Sequence, residues 1–213
     1  MADPVKRPYR SAARVAAAAA TRLRIRAAAA SLFTRKGYVA TTMREVAAEA
    51  GVGERTLYDA FPSKAALFRH TLGVATVGDE QPVRVADRAE IRAAQQQLDA
   101  RAAIGRTIEY TAALLDRAGD LIMVSVEAAG ADADMRAAAD AGASATHQVY
   151  LALTEELARR RALRAGLDAT AAADILYALG SPQVHQLLCR HRGWSPERYR
   201  RWLEDVVAQQ LLA

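Results

Sequence analysis

The chain has 213 residues with a formal net charge of +5, enough length to bury a core without disulfides or metal. Apolar residues make up 52%, but 51 residues are alanine, and without them the apolar share falls to about 28%, an ordinary globular load. Twelve Gly, six Pro and 6% aromatics exclude a collagen, a linker-rich chain or a β-sandwich, and the abundance of the best helix former predicts an all-α fold. The charge is unevenly spread: residues 1–76 hold 13 Lys/Arg against 5 Asp/Glu, and residues 77–213 hold 16 against 19. A basic first third suggests a polyanion-binding module joined to a second part with another task.

Residues 1–10, with Pro4, Pro8 and three basic side chains, predict a disordered basic arm. A helix follows from about Ser11 to Lys36, with its apolar stripe read at Leu23, Ala27, Ala30 and Phe33–Thr34. Arg35 and Lys36 suit its C-terminus, and Gly37 is the left-handed residue past its end. Thr41 or Thr42 caps a short helix, with Glu45 placed to complete a capping box with Thr42. Val46, Ala47 and Ala50 form its inward face, and Gly51 ends it. Gly53 opens another helix through about Ala60 that buries Leu57, with Phe61 following. Pro62 stops that helix and Ser63 caps the next, from Lys64 to about Val77 through Leu67, Phe68 and Leu72. Two short helices joined by a tight Gly-containing turn have helix-turn-helix proportions.

The loop at 78–86 sets the boundary between a helix-turn-helix domain at 11–77 and a larger helical domain at 78–213. Beyond it, helices are predicted at 87–97, 100–117, 120–129, 132–163, 168–191 and 196–212. The separators are Gly119, Gly130, Gly166 and Gly193–Trp194–Ser195–Pro196. Pro182 should kink or break its helix, whereas Ser195 followed by Pro196 is a clean start.

The string Gly37-Tyr38-Val39-Ala40-Thr41-Thr42-Met43-Arg44-Glu45-Val46-Ala47-Ala48-Glu49-Ala50-Gly51-Val52-Gly53-Glu54-Arg55-Thr56-Leu57-Tyr58-Asp59-Ala60-Phe61-Pro62-Ser63-Lys64 closely resembles the DNA-binding segment of the TetR family of bacterial transcriptional regulators. Leu179-Gly180-Ser181-Pro182 and Arg192 to Tyr199, with Trp202-Leu203, resemble the C-terminal helices of actinobacterial-type members, and Gly78 to Val83 resembles their post-domain loop. The sequence departs from the family at Gly53, where Ser is usual, at Arg55, where a small residue is common, and at Ala60, where Tyr or His is usual.

A helix fits the major groove, and its exposed N-terminal side chains reach base edges. With Leu57 and Phe61 inward, Glu54, Arg55, Tyr58 and Asp59 face outward. Arg55 can fork to guanine and Glu54 can accept from cytosine; Thr56 belongs to the same candidate set. The resemblance implies phosphate contacts from Thr42, Arg44, Tyr58 and Lys64. Lys6, Arg7, Arg10 and Arg14 offer a minor-groove arm.

In the second domain the resemblance implies a small-molecule effector site, for which Tyr110, Met123, Glu127, His147, Tyr150 and Tyr177 are candidates. Glu127, flanked by apolar residues, reads as a buried carboxylate needing a partner. The last two long helices should form a homodimer interface through Leu176, Leu179, Leu187, Leu188, Trp202, Val206 and Leu211. No phosphate loop, nucleophile elbow or ligand pair points to an enzyme, a metal or a cofactor, and the lone Cys189 offers neither a disulfide nor a zinc site. No apolar run is long enough to span a membrane, so the cytoplasm is the expected compartment. The reading is a dimeric repressor of a near-palindromic operator, released by an effector through the helix at 63–77. The alternatives are a ligand-independent or activating regulator of the same fold, or a non-specific nucleic-acid or membrane-surface binder.

Overall fold

The computed structural model describes residues 8–78, 85–130 and 132–213. Residues 1–7 of the arm expected at 1–10, and most of the loop resembling the family's, at 79–83, lie outside them, whereas residues 8–10 are helical rather than disordered. The chain forms two compact units, Met1–Thr71 and Leu72–Ala213, and the division falls within one helix. Among the described residues there is no strand, only an isolated bridge between Leu163 and Leu212.

In the first unit α1 runs Pro8–Ala40, with non-helical geometry at Gly37. It starts before the expected Ser11, and Pro is well suited to a first helical turn, where its missing N–H is not needed. The stripe differs from the one read in the sequence: Ile25, Ala28, Ala29, Leu32 and Phe33 are buried, whereas Leu23 is 55% exposed. Alanine marks no face, so the true stripe is invisible to periodicity in so Ala-rich a helix. Then follow α2 (Met43–Ala50), α3 (Glu54–Ala60) and α4 (Lys64–Val77). Their core joins Met43, Val46 and Ala47 to Leu57, Phe61, Leu67 and Phe68. Phe68 sits edge-on to Phe33 and Tyr38, with ring centroids 4.9 and 5.4 Å away, a favourable aromatic geometry.

The second unit is built on α6 (Ala100–Ala128), which packs against α5 (Ala89–Gln95), α7 (Ala133–Arg159), α9 (Pro182–His185) and α10 (Pro196–Leu211). The helix α8 (Ala169–Leu179) packs on α7 and α10. Ile104, Ile108, Leu115, Tyr150, Leu153, Leu157, Leu176, Tyr199, Leu203 and Leu211 fill the core. Gly119 does not separate two helices: α6 runs through it unbroken. A Cβ there would stand 3.3 Å from His185 Nδ1, so this glycine serves a close approach between helices rather than a turn. Pro182 does break its segment. The α8 helix ends at Gly180, Ser181 caps α9 with Pro182 in its first turn, and a π-helical turn follows over Gln186–His191.

Candidate nucleic-acid interface

The helix-turn-helix is fixed locally at each end. The Thr42 hydroxyl accepts the Glu45 amide at 3.2 Å, while the Thr42 amide donates to Glu45 Oε2 at 2.9 Å, completing the expected box. Gly51 adopts φ 65°, ψ 41°, and its turn is closed by Val52 N–H to Ala47 O at 3.0 Å. The left-handed geometry is strained for any residue carrying a Cβ. Gly53 then caps α3 without a side-chain acceptor.

Burial of Leu57 sets the rotation of α3 and leaves Glu54, Arg55, Thr56, Tyr58 and Asp59 exposed, with Tyr58 49% accessible. Arg44 is exposed on α2, and neither Arg44 nor Arg55 has an ion-pair partner among the described residues. The acids of α2 are neutralised from α1: Lys36 Nζ lies 2.6 Å from Glu45 and Arg35 lies 2.9 Å from Glu49. The Lys36 hydrogen bond, followed by those from Thr42, holds the Glu45 carboxyl down at about 2. Repulsion between these carboxylates and a polyanion is thereby reduced.

Two cations hold the unit together internally. Arg22 of α1 donates to Ala60 O, at the last residue of α3, over 3.3 Å, and its guanidinium lies 4.6 Å from the centre of the Phe61 ring. Lys64, the expected phosphate contact at the start of α4, donates to the carbonyls of Tyr38, Val39 and Thr41 at 2.9, 3.2 and 3.0 Å. The Thr42 hydroxyl is likewise committed to the capping box.

The second unit scatters the other candidates. Tyr150 is buried, its hydroxyl 3.2 Å from Thr111 Oγ1, and burial pushes its pKa up to about 12. His147 Nε2 and Asp174 Oδ1 lie 2.9 Å apart, and the His147 ring meets Tyr177 edge-on at 5.8 Å, forming a partly exposed trio across α7 and α8. Tyr110 and Met123 are half-buried. Burial raises the Tyr110 phenol against the pull of Arg117, whose guanidinium lies 5.9 Å from the centre of the ring. Glu127 corrects its expectation: it is exposed near the end of α6 and needs no buried partner. Of the interface candidates, Leu176 and Leu211 are 0% exposed within the chain's own core, whereas Leu187 is 55% exposed. Leu179, Leu188, Trp202 and Val206 are half-buried.

Sequence reading missed the buried pair His185 and Tyr199, whose rings meet edge-on at 4.9 Å. His185 Nε2 and the Tyr199 hydroxyl lack hydrogen-bond partners among the described residues. Burial lowers the His185 pKa and raises that of Tyr199. The repeat Tyr199, Leu203, Val207, Leu211 at intervals of four was the signal for the Tyr199 end of this pair. Burial also pushes the Cys189 thiol up, which disfavours the reactive thiolate. Among the described residues no group of His, Cys, Asp or Glu is placed to hold a metal, and no helix is long and apolar enough to cross a membrane.

A capped helix-turn-helix with an outward, partly basic second helix, followed by a larger helical unit, is the architecture of DNA-binding transcriptional regulators. Residues 25–71 match the family model for bacterial regulatory proteins, tetR family; the chain carries the DNA-binding domain of that family. No curated protein matches it. Among solved structures, the chain is similar to a Saccharomonospora viridis protein described as a transcriptional regulator and crystallised with choline (21% identity, 90% of this chain and 97% of that one, TM-score 0.69). It is also similar to NalD of Pseudomonas aeruginosa, the secondary repressor of the MexAB-OprM multidrug efflux pump (23%, 90% and 96%, TM-score 0.65). A third is the MbdR regulator of Azoarcus sp. CIB (20%, 91% and 100%, TM-score 0.71). At these identities the likeness is one of fold, and it extends over both units.

Proposed function

We propose that the chain is a cytoplasmic repressor that binds a near-palindromic operator as a homodimer and is released by a small-molecule effector. The observation that carries this reading is the face of α3: Leu57 is buried while Glu54, Arg55, Thr56, Tyr58 and Asp59 are exposed together. Arg55, without an ion-pair partner among the described residues, can fork onto guanine, and Glu54 can accept from the amino group of cytosine. Arg44 and Tyr58 take phosphates beside the groove. Two copies of α3 then occupy successive major grooves about one helical turn apart.

The dimer forms through the exposed and half-buried residues Leu179, Leu187, Leu188, Trp202 and Val206. The effector binds in the second unit, a reading supported by the choline held by the S. viridis relative. The signal passes along α4, whose last turn is gripped within the second unit by Arg117, which donates to Ala75 O at 3.0 Å and Thr76 O at 2.8 Å.

The test is selection of bound fragments from sheared genomic DNA of the source organism at ~150 mM salt, which suppresses phosphate-only binding. Enrichment of a few two-fold symmetric sites supports the reading, and their loss on adding compounds related to the neighbouring genes supports release. Uniform recovery of unrelated fragments overturns it.

A further inference from the structure

The start of α4 lies close to the end of α1, and a single side chain joins them. The carbonyls of Tyr38, Val39 and Thr41 belong to the turn that follows the break at Gly37 (φ 77°, ψ 171°) and precedes the α2 cap at Thr42. Carbonyls at such a helix end lack intrahelical partners and must find donors elsewhere. Lys64 Nζ supplies all three, at 2.9, 3.2 and 3.0 Å, and stands 4.5 Å from the centre of the Tyr38 ring. An ammonium has three donors and no more, so every N–H of Lys64 is used inside the unit. The Thr41 hydroxyl adds a bond to Gly37 O at 2.8 Å, from the other side of the same turn. Reaching a phosphate would mean abandoning three carbonyls in a half-buried site.

We propose that Lys64 is a positioning residue: it clasps the α1–α2 turn from within, so fixing where α2 and the reading helix α3 begin, and leaves DNA phosphates to other cations. The role in DNA binding rests on the function proposed above; the clasp itself does not. Arg44 and Arg55, exposed and without ion-pair partners among the described residues, remain to neutralise the polyanion, while Arg35 and Lys36 are paired with Glu49 and Glu45.

Two variants test this, Lys64→Arg and Lys64→Met. A guanidinium is at least as good a phosphate ligand as an ammonium, but its planar fork cannot aim three donors at converging carbonyls. Binding is measured by fluorescence anisotropy across a salt series, using an operator recovered by the selection and a mixed-sequence duplex. Backbone amide exchange of the DNA-free protein is measured in parallel.

The clasp predicts that Lys64→Arg weakens operator binding about ten-fold, the equivalent of losing one charge-assisted hydrogen bond. It also predicts faster exchange around residues 38–45 in free protein. The slope of log K against log salt should stay at the wild-type value for both variants and both duplexes. A phosphate contact predicts the opposite: Lys64→Arg binds as wild type with unchanged exchange, and Lys64→Met shows a slope shallower by about 0.9. Either of those results overturns the proposal. If Lys64→Met does not fold, the charge-conserving variant still decides. If wild type selects no operator, the proposed function fails, while exchange and the salt slope on the mixed-sequence duplex still report on the clasp.

Discussion

Arg55 and Gly180 show how one side chain, or its absence, decides an outcome in each unit. Arg55 projects from the first turn of α3 with no ion-pair partner among the described residues, so its fork is available to a base edge. Arg55→Ala should cost about 1–3 kcal/mol of discrimination and relax preference at one base pair per half-site. Repeating the genomic selection with the variant would show that position become degenerate while its neighbours stay fixed; uniform weakening at every position would assign Arg55 to phosphate instead. Gly180 is buried where α8 ends. A Cβ there would come within 3.0 Å of both Leu176 O and the Tyr150 hydroxyl. The carbonyl belongs to the backbone and accepts the Gly180 amide at 2.9 Å, so it cannot yield cheaply. Gly180→Ala should therefore destabilise the second unit by about 1–3 kcal/mol, the range for overpacking a tight site. Urea denaturation would show the loss as a lower midpoint at unchanged slope.

Between elements, α1 acts as a spine that holds α2 by its acids and α3 by its end. Removing Arg22 frees the Ala60 carbonyl and the face of Phe61. A partly exposed cation–π contact is worth about 0.5–1 kcal/mol, so Arg22→Ala should weaken operator binding several-fold with the base preference unchanged. A shift in that preference would instead place Arg22 at the bases. Glu45 gives α2 a pH signature. Its carboxyl is depressed from 4.5 to about 2, first by Lys36 and then by Thr42. A depressed acid contributes stability that is present above 4.5 and lost as pH falls toward 2. Circular dichroism of an acid titration should show wild type losing helix through that window more steeply than Glu45→Gln. The same elements explain what the sequence made legible. Helix ends were readable where they carry their own chemistry: Thr42 with Glu45, Gly51, Pro62 with Ser63, Ser195 with Pro196. The buried face of α1 was not, because an alanine fits either side of a helix. Gly119 was misread because a glycine needed for close packing looks in sequence like one needed for a turn. The carbonyl contacts of Lys64 were not legible, because nothing in a linear string reveals three carbonyls converging on its ammonium.

For the molecule as a whole, the proposed dimer depends on telling residues that build the fold from residues left over for a partner, and the C-terminal leucines divide cleanly on that question. Leu176 and Leu211 are 0% exposed, whereas Leu187 is 55% exposed on the π-helical turn beside half-buried Leu188. Burying an exposed leucine against a second copy contributes about 1.5–3 kcal/mol, while truncating a core leucine costs about 2–5 kcal/mol in lost burial and a residual cavity. The two substitutions should therefore fail in different ways. Leu187→Glu should shift the sedimenting species from dimer to monomer and abolish binding to a two-half-site operator, while a single half-site is still bound weakly. Its helix content at low temperature should stay intact, although its melting temperature should lose the concentration dependence expected of a dimer. Leu176→Ala should lower the melting temperature at every concentration and leave the remaining folded protein dimeric. If Leu187→Glu instead sediments as wild type and binds the full operator, then the α8–α10 face is not the interface, and the second copy must be held by another surface of the second unit.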